Sequence, residues 1–374
     1  MRVLLRRGVL SALSSLFATL IAVAAQACTP TYTIQPGDTL SAIAREQLGS
    51  LFDFGRIYEV NRDVIGDDPN LIFPDVILTI PCEIDVTEEL DWSVMPGPDT
   101  IAALMAETDI QVLDIRPGDK VADGVLPGSV WIPYASWRGP EANPGAPPSA
   151  EKLSAMLGSA GLTLADPILI VHGQDTVMST GRAARVYWLL KSSGAEQLAI
   201  LRGGFDGWND DADRRVAARP VSPTPRPLRV TFSEEWHADL VDVYGIAAGD
   251  QPGSLLDARP HGMFSRLDDA GRALATTLPG AQNAPAQALM SLMSGEVDIE
   301  AGAWRVIEFL EDQEIDWETG PVVSFCQTGE LSALNWFYAS ELAALPGMKL
   351  YPDSVVGWTA SGGVLAPGVD RRGG

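Results

Sequence analysis

The stretch Val322-Val323-Ser324-Phe325-Cys326-Gln327-Thr328-Gly329-Glu330-Leu331-Ser332 decides how this chain is read. Its first four residues form a short apolar run after Pro321, the pattern of a strand buried on both faces. The segment from Leu331 onward, LSALNWFYASELAAL, is long and apolar enough for a buried helix. A strand that turns tightly into a helix is the corner at which open parallel α/β sheets bind ligands. The loop's backbone N–H groups point inward and the helix adds the positive end of its dipole, so an anion is favoured there. A thiolate on Cys326 could attack a sulfane sulfur and keep it as a persulfide, held by the same N–H groups. The bland alternative is a cysteine that only packs in the core.

Working outward, the same layout occurs twice. Before Cys326 come the strand-like runs SLLDARP (254–260) and GAQNAP (280–285), and after the helix comes KLYP (349–352). Earlier in the chain QVLDIRP (111–117), GSVWIPY (128–134), ILIVH (168–172) and LAIL (198–201) repeat the order, with the helix RAARVYWLLKSSG (182–194) between the last two. Short apolar strands alternating with helices imply α/β domains, each with a parallel sheet covered by helices on both faces. The reading is therefore an internal duplication, with domains at 99–219 and 228–368. Residues 83–98 and the Pro-rich 220–227 are linkers, and 369–374 are a tail.

The N-terminus places Arg2, Arg6 and Arg7 before an apolar stretch, residues 9–25, that ends in Ala25-Gln26-Ala27. That is the pattern of an export signal over 1–27, cut before Cys28, which leaves no membrane span in the mature chain. Residues 28–82 then form a small α+β unit in the order strand, helix, helix, strand (βααβ). Strands are predicted at Tyr32–Ile34 and Val76–Ile80, with Thr39 capping the first helix. In an exported protein Cys28 and Cys82 are the natural disulfide pair, a closure that would stabilise the unit by roughly 3–4 kcal/mol. A lipid on Cys28 is the rival reading.

The sequence carries 49 acidic against 26 basic residues, a net charge of -23. Such a surface repels nucleic acid and anionic lipid. His172, His237 and His261 are too dispersed for a metal site, and no cofactor is called for.

Two resemblances sharpen these readings. Tyr32-Thr33-Ile34-Gln35-Pro36-Gly37-Asp38-Thr39-Leu40-Ser41, Asn61 and Asn70-Leu71-Ile72-Phe73-Pro74 resemble a LysM domain. The resemblance implies binding of N-acetylglucosamine polymers, here peptidoglycan, by Gly37, Asp38, Thr39, Leu40, Ser41 and by Asn70, Leu71, Ile72, Phe73, Pro74. Residues 99–368 resemble tandem rhodanese domains of thiosulfate and 3-mercaptopyruvate sulfurtransferases. The residues that carry this are Asp114-Ile115-Arg116 and Asp257-Ala258-Arg259, the turns at Leu126-Pro127-Gly128 and Leu278-Pro279-Gly280, Gly203-Gly204-Phe205 with Trp208, and Tyr351-Pro352-Asp353-Ser354 with Trp358.

The second resemblance implies a silent first domain, which has His172-Gly173-Gln174-Asp175 where the second has its cysteine. In the active domain it implies Cys326 as nucleophile, Gln327, Thr328, Gly329, Glu330, Leu331 and Ser332 as the persulfide cradle, and Asp257 and Arg259 as a brace. Asp114 and Arg116 would be structural. Partners would be a small-molecule sulfur donor and a thiol or cyanide acceptor. Two positions depart from the thiosulfate-using pattern: Met263 stands where an arginine is usual, with Arg266 nearby, and Glu330 where the loop often has a cation. A dianionic donor would then meet a repelling carboxylate. Phosphatase chemistry of the same fold needs an arginine where Ser332 stands. The competing class is a wall-bound, non-catalytic rhodanese-like module that binds a partner or accepts sulfur without turnover.

Overall fold

The computed structural model describes residues 31–48, 54–66, 71–81, 92–293, 299–317 and 319–369. Contacts divide the chain after Ile84 into two units.

In the smaller unit, β1 (Thr31–Thr33) is followed by α1 (Leu40–Leu48), α2 (Phe54–Val60), α3 (Arg62–Ile65) and β2 (Ile77–Thr79). The strands pair antiparallel with Tyr32 opposite Leu78; β1 begins one residue earlier than predicted, and β2 is shorter than predicted. The Thr39 hydroxyl accepts the Ala42 N–H at 3.1 Å and so caps α1. Ile34, Leu40, Ile43, Ala44, Ile57, Leu78 and Ile80 close over one core. Asn61 pins helix to strand: its buried side-chain amide donates to the carbonyls of Ile57 (2.6 Å) and Thr79 (2.7 Å) and accepts the Thr79 N–H at 2.7 Å. No apolar residue could satisfy three buried backbone groups in this way.

The larger unit holds two α/β halves. The first runs α4 (Pro98–Glu107), β3 (Gln111–Asp114), α5 (Gly118–Val121), β4 (Val130–Trp131), α6 (Ala150–Ser159), β5 (Ile168–Val171), α7 (Val177–Ser192), β6 (Leu198–Ile200) and α8 (Gly204–Asn209). Its sheet has the order β4-β3-β5-β6, all parallel.

The second half runs α9 (Leu240–Ala248), β7 (Ser254–Asp257), α10 (His261–Phe264), β8 (Ala275–Thr277), β9 (Gln282–Asn283), α11 (Ala286–Leu292), α12 (Ile299–Asp312), β10 (Val322–Phe325), α13 (Glu330–Trp336), β11 (Met348–Leu350), α14 (Ser354–Ala360) and β12 (Ala366–Pro367). Its sheet, β9-β7-β10-β11, has the same strand order and is also parallel. The central strands β5 and β10 are buried along their whole length, as apolar runs of parallel sheets are. The antiparallel pair β8–β12 is an addition the sequence pattern did not signal.

The structure differs from expectation at the first linker. Trp92–Gly97 lie along β6 instead of hanging free: the Ile200 N–H donates to the Val94 carbonyl (2.9 Å), the Arg202 N–H to that of Pro96 (3.0 Å), and the Trp92 indole N–H to that of Leu198. This segment satisfies a sheet edge that would otherwise expose unpaired backbone groups. Residues 220–227 are extended, as their prolines require. They are tied to the first half through Val221 N–H to Ser129 and Arg226 N–H to Gly158.

The halves meet through α7 and α13. A Cβ on Gly181 of α7 would fall 2.7 Å from the Glu330 carbonyl oxygen, so glycine permits this approach. The Tyr187 ring lies edge-on to Phe337, 5.0 Å between centroids, and its hydroxyl donates to Glu341, which also pairs with Lys191 at 2.8 Å. The predicted helix after Cys326 is not uniform. Beyond Trp336 it widens into a π-turn over Phe337–Leu342, within which Phe337 and Tyr338 are both buried.

Candidate functional site

Parallel register sets Phe325 beside Asp257, so the end of β10 and the Asp257-Ala258-Arg259 segment leave the sheet together. Both ionic side chains are buried. Arg259 grips Asp257 through Nε to Oδ1 (2.9 Å) and Nη2 to Oδ2 (2.6 Å), and the Thr277 hydroxyl donates to the same carboxylate at 2.7 Å. The third guanidinium nitrogen, Nη1, lies 3.3 Å from Gln327 Oε1 and thereby ties this segment to the cysteine loop. In the first half Asp114 and Arg116 form the same fork at 2.7 Å, with Arg116 donating to the Gly124 carbonyl and stacking on Phe205. Removing one partner of a buried pair leaves an uncompensated charge. Asp257→Ala and Asp114→Ala are each expected to lower the unfolding free energy by about 3–5 kcal/mol, read from urea denaturation.

Cys326 is 2% exposed at the C-terminal end of β10. Its Sγ accepts the Gly329 N–H at 3.1 Å and lies 3.5 Å from Ser332 Oγ. Its own N–H donates to Ser354 Oγ at 3.0 Å, and that hydroxyl donates on to the Tyr351 carbonyl. Ser354 adopts φ 55 at the head of α14, which brings this hydroxyl under the loop. Gly329 adopts φ 96. Gln327 is exposed, Thr328 and Leu331 are half-buried, and Ser332 is buried.

Glu330 overturns the expected repulsion. It is 4% exposed and turned toward the first half. Its Oε1 accepts the Tyr134 phenol O–H (3.1 Å) and pairs with Arg138 (3.4 Å), while Oε2 accepts the Thr328 hydroxyl at 2.7 Å. Burial pushes the Tyr134 phenol well up, so it remains a donor. The carboxylate is compensated and engaged, and its partners Tyr134, 196 positions away in sequence, and Arg138 escaped any reading of local motifs.

 Arg185 of α7 is a third such residue. It is fully buried, donates to the Gly145 carbonyl, and sits directly behind Gly329, where a Cβ would collide with its guanidinium. The first half thus contributes the floor and one wall of the cysteine loop. Met263 and Arg266 are both exposed, on or just after α10, and so is His261.

The first half has His172 where the second has Cys326. Its ring is buried, with Nδ1 3.3 Å from Ser179 Oγ. Burial lowers its pKa from 6.5 to about 4, against a smaller opposing pull from Asp175. The unfolded chain therefore takes up a proton between those two values that the folded chain refuses. Stability from this group is complete above pH 6.5 and is lost as the pH falls toward 4, a cost of about 3 kcal/mol. Between pH 7 and pH 4.5 the wild type is expected to lose about 2 kcal/mol more unfolding free energy than His172→Gln.

In the small unit the two proposed glycan loops differ. Asp38 accepts the Tyr32 hydroxyl (3.0 Å) and the Gln35 N–H (2.6 Å), and Leu40 is in the core, so both shape the first loop from within. In the second, Leu71 and Phe73 are more than half exposed, Pro74 is exposed, and Ile72 packs on the core. Gly37 and Thr39 are exposed. Asn70, the Ser41 side chain, Cys28, Cys82 and the signal segment lie outside the described residues. Among the described residues no helix is long and apolar enough to cross a membrane, and no group of three His, Cys, Asp or Glu could hold a metal.

Comparison with known proteins places this geometry in a class. Residues 97–211 match the rhodanese-like domain and residues 32–81 the LysM domain. The chain carries a LysM domain followed by an α/β unit of rhodanese fold, similar to the tandem-rhodanese sulfurtransferases. The 3-mercaptopyruvate sulfurtransferase of Escherichia coli is 26% identical over 72% of this chain and 95% of its own length. The thiosulfate sulfurtransferase of Azotobacter vinelandii is also 26% identical, over 72% and 96%. Among solved structures, the E. coli 3-mercaptopyruvate enzyme SseA superposes with a TM-score of 0.59 at 21% identity, covering 70% of this chain and 98% of its own. Wild-type EanB gives 0.60 at 16% identity, covering 74% and 70%.

Proposed function

We propose that the protein is an exported sulfurtransferase that works through a persulfide on Cys326 and is held in the cell envelope by its LysM domain on peptidoglycan. The observation that carries the reading is the Gly329 N–H donated to Cys326 Sγ at 3.1 Å, with Ser332 beside it. A thiolate there attacks the outer sulfur of a donor. The new S–S bond forms as the donor's bond to that sulfur breaks, and sulfite leaves thiosulfate, or the enolate of pyruvate leaves 3-mercaptopyruvate and takes up a proton to give pyruvate. The persulfide's terminal sulfur then passes to a thiol or to cyanide, and the Cys326 thiolate is restored. Gln327, Thr328, Gly329, Leu331 and Ser332 form the cradle, while Glu330 acts from behind it, linking the loop to Tyr134 and Arg138. Asp257 and Arg259 hold the loop in place and take no part in bond making.

Similarity to sulfurtransferases named for both donors supports the reaction class. With Met263 exposed where a cation is usual, the monoanionic 3-mercaptopyruvate is the favoured donor over dianionic thiosulfate. Export by residues 1–27, and a disulfide between Cys28 and Cys82 or a lipid on Cys28, complete the proposal. Thiocyanate or persulfide formation from the two donors is the test: 3-mercaptopyruvate is expected to give the higher kcat/KM, and equal or reversed values would overturn the donor assignment. In the same preparation, sedimentation with insoluble peptidoglycan is expected for the full chain and is lost when residues 31–81 are deleted.

A further inference from the structure

The first half keeps a cavity of about 830 Å³ beside the loop that follows β5, the counterpart of the Cys326 loop in the second. The described residues that line it all belong to the first half. They come from the segment after β3, the turn around Tyr134–Trp137, the loop from His172 to Thr176, the start of α7 and α8.

Basic side chains concentrate on its walls. In a chain with a net charge of -23, this cavity is lined by Arg116, Lys120, Arg138 and Arg182 against Asp123 and Asp206. Two of the four cations are already compensated, Arg116 by Asp114 and Arg138 by Glu330. Lys120 and Arg182 make no ion pair among the described residues. Arg182 lies 5.5 Å over the Tyr134 ring with its Nε buried and without a hydrogen-bond partner. A buried donor of this kind costs free energy until an acceptor reaches it. Thr176 caps α7, a helix of 16 residues whose first-turn N–H groups point to the same side.

We propose that this cavity is a second ligand site, specific for a small oxyanion such as a carboxylate or a sulfur oxyanion, with Arg182 and Lys120 as its unspent cations. The absence of a cysteine from the first half then leaves a binding pocket, separate from the sulfur chemistry. Size and the two unpaired cations together set the class: the cavity admits a molecule of a few heavy atoms with water, and Asp123 and Asp206 are exposed, so solvent screens their repulsion of an anion.

The test uses full-length Cys326→Ser protein, so that its outcome does not depend on sulfur transfer. Calorimetric titration with pyruvate, thiosulfate and sulfate is expected to give saturable binding of at least one anion. Arg182→Met is expected to weaken it by roughly tenfold or more, and Arg182→Lys by less, because the charge is kept. Lys120→Met, a change at an exposed side chain that leaves folding intact, is expected to weaken it about threefold. No saturable binding up to 10 mM of any of the three, or an affinity in the Arg182→Met and Lys120→Met proteins unchanged from that of the Cys326→Ser parent, would overturn the assignment.

Discussion

Replacing Cys326 by serine is expected to lower turnover by roughly a thousandfold or more, with the unfolding free energy changed by less than about 1 kcal/mol. A serine hydroxyl can accept the Gly329 N–H that now reaches Sγ, and it fills nearly the same buried volume, so the loop keeps its shape. What it lacks is the capacity to hold a second sulfur. The contrast between a large kinetic loss and a small change in stability separates a reacting group from a packing one. A core cysteine would show the reverse, a measurable loss of stability and no kinetic effect. Steady-state rates and urea denaturation on the two proteins supply both numbers.

The second large effect is expected at Gly329, for steric reasons. Its φ of 96 lies in a region that costs a Cβ-bearing residue about 1 kcal/mol or more. Beyond that, an added Cβ would overlap the Arg185 guanidinium and fall 2.8 Å from the Pro352 carbonyl oxygen. Arg185 cannot step aside cheaply, because it is fully buried and bonded to Gly145. Gly329→Ala is expected to destabilise the protein by about 2–4 kcal/mol. It should also reduce turnover at least about tenfold in the protein that remains folded, since the N–H that holds Sγ must move with the loop. Normal turnover in a folded Gly329→Ala protein would show that this N–H does not matter.

How much of this was legible depends on the range of each interaction. The strands β3, β5, β7 and β10 were readable because their apolar runs are local and bounded by prolines, charges or glycines. Cys326 was readable because a strand, a tight turn with Gly329 and a helix follow one another in sequence. Trp92–Gly97 was misread as a linker because its acidic, Pro/Gly-bearing approach hides an edge contact with β6 that only tertiary structure creates. Glu330 was misread for the same reason. Its sign was visible, but its partners Tyr134 and Arg138 come from the other half. Arg185 carried no local signal at all, and neither did the β8–β12 pair or the π-turn after Trp336. Asn61 was visible only as part of a motif, and its reason, three buried backbone bonds, needed β2 in place.

Intact mass of the purified protein after exposure to 3-mercaptopyruvate, beside Cys326→Ser treated in the same way, tests the central claim most directly. The account predicts a gain of one sulfur atom in the wild type, discharged by cyanide or a thiol and absent from the variant. No gain in the wild type with 3-mercaptopyruvate, thiosulfate or a low-molecular-weight persulfide, or an equal gain in Cys326→Ser, would contradict it.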